Sequence, residues 1–136
     1  MSDRVAMGKA ARRKGNAWEN EVTKAFQANG FRAASRLASP GEKRDIGDIG
    51  GIPGFTIECK NHKEYKFGLW IDQLKHAMAR SATRWGAVVV KRRMVGVRGA
   101  MVVMEFDLFV DLIRQAHESR PGMIDRSRRA FVDAEP

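Results

Sequence analysis

Residues 48–60, D-I-G-G-I-P-G-F-T-I-E-C-K, constrain the fold of this chain more than any other stretch. Pro53-Gly54 marks a turn, and the residues on either side suit strands, so the segment reads as a β-hairpin. A turn centred on Pro53 pairs position 48 with position 58, which sets Asp48 beside Glu58. Side chains alternate along a strand, so Glu58 and Lys60 share a face and Cys59 points to the other. Two carboxylates and an ammonium then converge on one patch of sheet.

Adjacent carboxylates repel, and the repulsion raises a pKa unless a cation offsets it. Hard ions such as Mg2+ prefer carboxylate and carbonyl oxygens and keep several waters. Such an ion acidifies a water and stabilises charge on a phosphoryl group. A lysine beside it can orient that water or neutralise the phosphate. The trio therefore suits metal-assisted phosphodiester hydrolysis. An isolated E-x-K is equally an exposed strand face with an ordinary charge pair. The added acid and the apolar flanks Ile46, Ile49, Ile52, Phe55 and Ile57 bring the catalytic reading level with the other.

The rest of the chain bears on what such a site would act on. A formal net charge of +9 over 136 residues favours a polyanion partner, since each phosphate contact releases counterions. A membrane surface is the competing polyanion, but no basic amphipathic helix with an aromatic face stands out. A hydrophobic share of 43% is enough for a packed globule. Cys59 is the only cysteine, which fits a reducing interior. With no signal peptide and no spanning apolar run, the expectation is a soluble, intracellular protein.

Taken in order, residues 1–13 read as a basic flexible arm with Arg12 and Arg13, followed by Lys14. Residues 16–29 read as a helix, with Asn16 as N-cap and Glu19 in the capping-box position. Trp18, Val22, Ala25 and Phe26 make its apolar stripe, and Gly30 suits the C′ position. The cap alone would explain Glu19. A strand is expected over 31–37, then a basic loop over 38–44 in which Ser39, Lys43 and Arg44 could hold a phosphate. The hairpin takes 45–50 and 55–61, and a basic loop with Lys63 follows. Residues 67–82 read as a helix with Leu69, Trp70, Leu74, Ala77 and Met78 inward and Gln73 to the side. Strands over 86–92 and 100–106 flank a basic turn. A last helix follows, capped by Asp107 and ended by Pro121-Gly122. Residues 121–136 read as a basic tail with Arg126, Arg128 and Arg129. His62, His76 and His117 lack metal-ligand spacing and read as surface residues. The order implies an α/β domain over 14–120 with a mixed sheet, since a hairpin is antiparallel and a helix crossover returns parallel.

Several short patterns recur in this order. They are K-G-N-A-W-E (14–19), Arg36 to Ser39, Asp48 in G-D-I-G, Glu58-Cys59-Lys60, Gln73, and the Val-rich strand ending in Lys91. Together they resemble the PD-(D/E)xK nuclease superfamily, and within it the archaeal and phage Holliday-junction resolvases. The resemblance spans roughly residues 14–106. It implies a restriction-endonuclease-like α-β-β-β-α-β core, with a mixed central sheet flanked by helices. It also implies a Mg2+-dependent endonuclease (Mn2+ as substitute) acting on branched DNA as a homodimer, in the cytoplasm, or the host cytoplasm if phage-encoded.

Residue by residue, the resemblance makes Glu19, Asp48, Glu58 and Lys60 catalytic. Asp48, Glu58 and the Cys59 backbone carbonyl would ligate the metal, Glu19 would be an added ligand, and Lys60 would serve the water. DNA would be held by Arg12, Arg13, Lys14, Arg36, Ser39, Lys43, Arg44, Lys63, Gln73 and Lys91. The usual proline before the acid is missing here, and Asp45 is an alternative to Asp48. The hairpin register favours Asp48; a bulge at Gly50-Gly51 would reverse the choice. Two other functions fit the same residues: a nuclease acting on ends, flaps or plain duplex, and a basic DNA-binding protein without catalysis.

Overall fold

Five strands form one mixed sheet in the order β1-β2-β3-β4-β5: Ser35–Arg36, Ile49–Gly50, Phe55–Lys60, Trp85–Val90 and Met101–Val103. The computed structural model describes residues 2–37 and 46–119. Ser39, Lys43, Arg44 and Asp45, and the tail over 121–136 with Arg126, Arg128 and Arg129, lie outside the described residues. β1, β2 and β3 run antiparallel in turn, β3 and β4 are parallel, and β4 and β5 are antiparallel. The parallel pair is joined through helix α2, Phe67–Ser81, as a parallel return requires. The restriction-endonuclease-like α/β expectation is met.

The hairpin has the expected register. Ile49 pairs with Ile57, symmetrically about Pro53, and the Asp48 N–H then donates to the Ile57 carbonyl, next to Glu58. Gly51 sits between the strands at φ +82°, and a Cβ there would collide with the Ala33 carbonyl. Only glycine meets both demands.

Helix α1, Ser2–Ala28, corrects the expected helix start at Asn16 and the expected flexible arm over 1–13. Residues 2–14 are rich in Ala, Arg and Lys and hold no proline, so helix propensity carries through them. Gly8 and Gly15 each cost only about 1 kcal/mol against alanine. Asn16 is thus inside the helix and caps nothing. The C-terminus closes as expected at Gly30 (φ +101°). Gly30 N–H donates to the Gln27 carbonyl and Phe31 N–H to the Phe26 carbonyl. The Phe26 and Phe31 rings meet edge-on at 5.9 Å, the apolar contact that accompanies this stop signal. Holding Phe31 there removes it from the expected strand, which shortens to β1.

Two apolar layers cover the sheet. Trp18 and Val22 of α1 pack on Ile49, Ile57, Ala87 and Val89. The Trp18 Nε1–H, in a side chain 1% exposed, donates to the Val89 carbonyl at 3.1 Å. Trp70 and Leu74 of α2 pack on Val88 and Val90 from the opposite face. Helix α3, Phe106–Ser119, starts one residue before the expected Asp107 cap and has no buried residue. Among the described residues, no helix is long and apolar enough to cross a membrane.

Candidate active site

Strand alternation places the key side chains. Ile57 and Cys59 belong to the α1 side of β3, with Ala87 and Val89 beside them. Glu58 and Lys60 pair with Val88 and Val90, whose side chains lie under α2. Glu58 and Lys60 therefore share a face. Asp48 joins them from the neighbouring strand end. Its N–H donates to the Ile57 carbonyl at 2.8 Å, and its Oδ2 accepts from the Cys59 N–H at 2.7 Å. The second bond locks the carboxylate against the backbone between Glu58 and Lys60.

These residues line a pocket of about 350 Å³ with Glu19, Lys14 and Lys63. Glu19 does not cap its helix. Its carboxylate takes the Arg36 guanidinium at 2.9 Å, and Arg36 also donates to Asn16 and Asn20. Burial raises the Glu19 pKa above the ordinary 4.5, the Asp48 charge adds to the rise, and Arg36 opposes it. The Cys59 thiol is pushed up by burial and then by the charges of Asp48, Glu19 and Glu58. Three carboxylates thus act on one point. Glu58 itself is only 7% exposed.

Lys60 Nζ donates to Gln73 Oε1 of α2 at 3.0 Å. Gln73, the expected DNA contact on a helix edge, is a partner of Lys60. Arg36 is engaged with Glu19 and the two asparagines. Lys91 lies over the Trp18 ring at 4.8 Å and 3.6 Å from Glu21, and does not line the pocket. Arg12 and Arg13 are exposed on α1 outside the pocket lining, while Lys14 is in it. The role of Arg36 had a signal in the sequence: Asn16, Glu19 and Asn20 fall at i, i+3 and i+4, one polar helix face awaiting a shared donor.

The pocket offers a cation hard oxygens, from Asp48, Glu58, Glu19 and the Cys59 backbone. Among the described residues, no three His, Cys, Asp or Glu side chains form a ready metal cage. Two carboxylates with waters completing the shell is the arrangement Mg2+ takes beside phosphate. Burial first and the Asp48 charge second raise the Glu19 pKa, and a cation between the carboxylates would offset both. The residues therefore fit a hard divalent ion.

Residues 10–118 match the family described as archaeal Holliday junction resolvase (hjc). The chain belongs to that family. The resolvase family lies within the PD-(D/E)xK nucleases, so the nuclease fold and the resemblance drawn from the sequence agree. Among curated proteins and among solved structures, nothing matches the chain. The match to the resolvase family covers α1 from residue 10 through almost all of α3, and so contains every wall of the pocket.

Proposed function

We propose that this chain is a Mg2+-dependent, structure-selective endonuclease that hydrolyses phosphodiester bonds in branched DNA, four-way junctions above all, as a homodimer. The observation that carries the reading is the Asp48 carboxylate tied to the Cys59 N–H, which sets it in one pocket with Glu58, Lys60 and Glu19.

Asp48, Glu58 and the Cys59 carbonyl would hold the ion, with Glu19 as an added ligand and Mn2+ as a substitute. The ion would acidify a water and offset charge on the phosphoryl oxygens. Lys60, aimed by Gln73, serves the attacking water. Lys14 and Lys63 hold the backbone at the pocket rim, and Arg12 and Arg13 extend the positive track along α1. Water adds to phosphorus and gives up a proton, one bridging P–O bond breaks, and the departing oxygen takes up a proton.

The homodimer is supported by an uncovered face. Val102, Phe106, Phe109 and Ile113 are 61%, 74%, 47% and 41% exposed. Exposed apolar side chains on a chain of net charge +9 suit a second copy better than DNA. A four-way junction takes two symmetric cuts, which a twofold pair supplies.

The test is cleavage in Mg2+ of a synthetic four-way junction beside its own duplex arms. Cuts confined to the junction are expected. Equal cutting of the arms would move the activity to plain duplex, and binding without cuts would leave a DNA-binding protein.

A further inference from the structure

An aromatic cluster stands beside the pocket, rising from Trp70 of the α2 core. Tyr65 and Phe67 stack on each other with ring centroids 5.4 Å apart and planes 27° apart. They are 45% and 38% exposed. Below them Trp70, 3% exposed, meets Phe67 edge-on at 5.7 Å and Tyr65 at 6.3 Å. His62, which lines the pocket, lies 5.4 Å from the Trp70 ring. The cluster is therefore continuous with the pocket wall on one side and fixed to the α2 core on the other.

We propose that Tyr65 and Phe67 form a stacking platform for a nucleobase displaced from the duplex beside the cleaved phosphate. Aromatic faces left open to water are costly where nothing covers them, and a base covers one without regard to sequence. The surroundings suit a nucleotide more than an apolar protein side chain. Lys63 precedes the pair and Lys66 lies between its two members in sequence, and the charges of Lys60, Lys14 and Lys66 all reach His62. Cations beside exposed rings are what a nucleotide's phosphate and base require together. Duplex bases are already stacked on both sides. Where a branch opens into separate arms, each arm's terminal pair loses one stacking neighbour, so the platform rewards a junction over its arms. The inference rests on the DNA-nuclease reading and supplies a physical source for its selectivity.

The test places 5-iodo-deoxyuridine either at the branch point of a four-way junction or within an arm. The full chain is bound in EDTA, irradiated, and mapped by mass spectrometry. Adducts on Tyr65 or Phe67 from the branch probe, and none from the arm probe, are expected. In parallel, Tyr65→Leu with Phe67→Leu should weaken junction binding about tenfold and duplex binding by less than about threefold. Tyr65→Phe alone should bind as the wild type does, and thermal melting checks that the leucine variants fold. Adducts only elsewhere, or equal losses on junction and duplex, overturn the platform and leave the rings as a protein contact. Junction cleavage by the wild type in Mg2+ is scored separately. Adducts without cleavage overturn the nuclease reading and keep the platform; cleavage without adducts does the reverse.

Discussion

Lys60 gives one ammonium N–H to the Gln73 side-chain carbonyl, 3.0 Å away across the β3–α2 interface. The bond fixes the direction of a flexible side chain at the point where the pocket opens. Gln73→Leu should therefore lower junction cleavage about fivefold, the effect of one hydrogen bond. Lys60→Ala should lower it more, and adding Gln73→Leu to Lys60→Ala should change nothing further. A double-mutant cycle on cleavage rates reads this coupling.

Glu19 carries a pH signature. Its carboxyl is raised above 4.5 by burial and by Asp48, so the folded chain holds that proton more tightly than the unfolded chain. The stabilising share is full below 4.5 and disappears as pH rises through the raised folded value. Glu19→Gln mimics the protonated form. Without metal, its melting temperature should match wild type in acid and exceed it increasingly as pH rises toward neutral. Mg2+ at neutral pH should raise the wild-type melting temperature and narrow the gap.

The exposed face of α3 and β5 predicts the oligomeric state. The wild type should sediment as a dimer at micromolar concentration. Phe106→Asp with Phe109→Asp should sediment as a monomer that still unfolds cooperatively. A monomeric wild type would remove this face from the proposal.

Gly51 is the backbone test. Gly51→Ala meets both a positive φ and the Ala33 carbonyl, and backbone cannot step aside as a side chain can. A loss of at least about 2 kcal/mol in urea denaturation is expected, with the hairpin register at risk.

The hairpin was legible because its signals agree: a Pro-Gly turn, alternating Ile57 and Thr56, and symmetric flanks fix one register. Gly30 was legible because its stop signal is local, whereas its apolar partner Phe31 read as the first residue of a strand. The start of α1 was not. Asn16 with Glu19 imitates a cap, and local pattern alone does not show that strong helix formers upstream continue through it. The Glu19–Arg36 pair crosses from helix to strand and the Lys60–Gln73 bond from strand to helix, so each depends on tertiary placement. Lys91 read as a strand-end charge near the site, yet the strand delivers it to Trp18 and Glu21.

The central claim is that the pocket beneath Asp48 and Glu58 performs phosphodiester chemistry with a divalent ion. The most direct measurement is strand scission of a four-way junction in Mg2+ by the wild type and by Glu58→Ala at equal, verified binding. Scission by the wild type that stops in EDTA and falls at least about a hundredfold in Glu58→Ala is predicted. Equal scission by the two proteins, or scission that persists in EDTA, would contradict it.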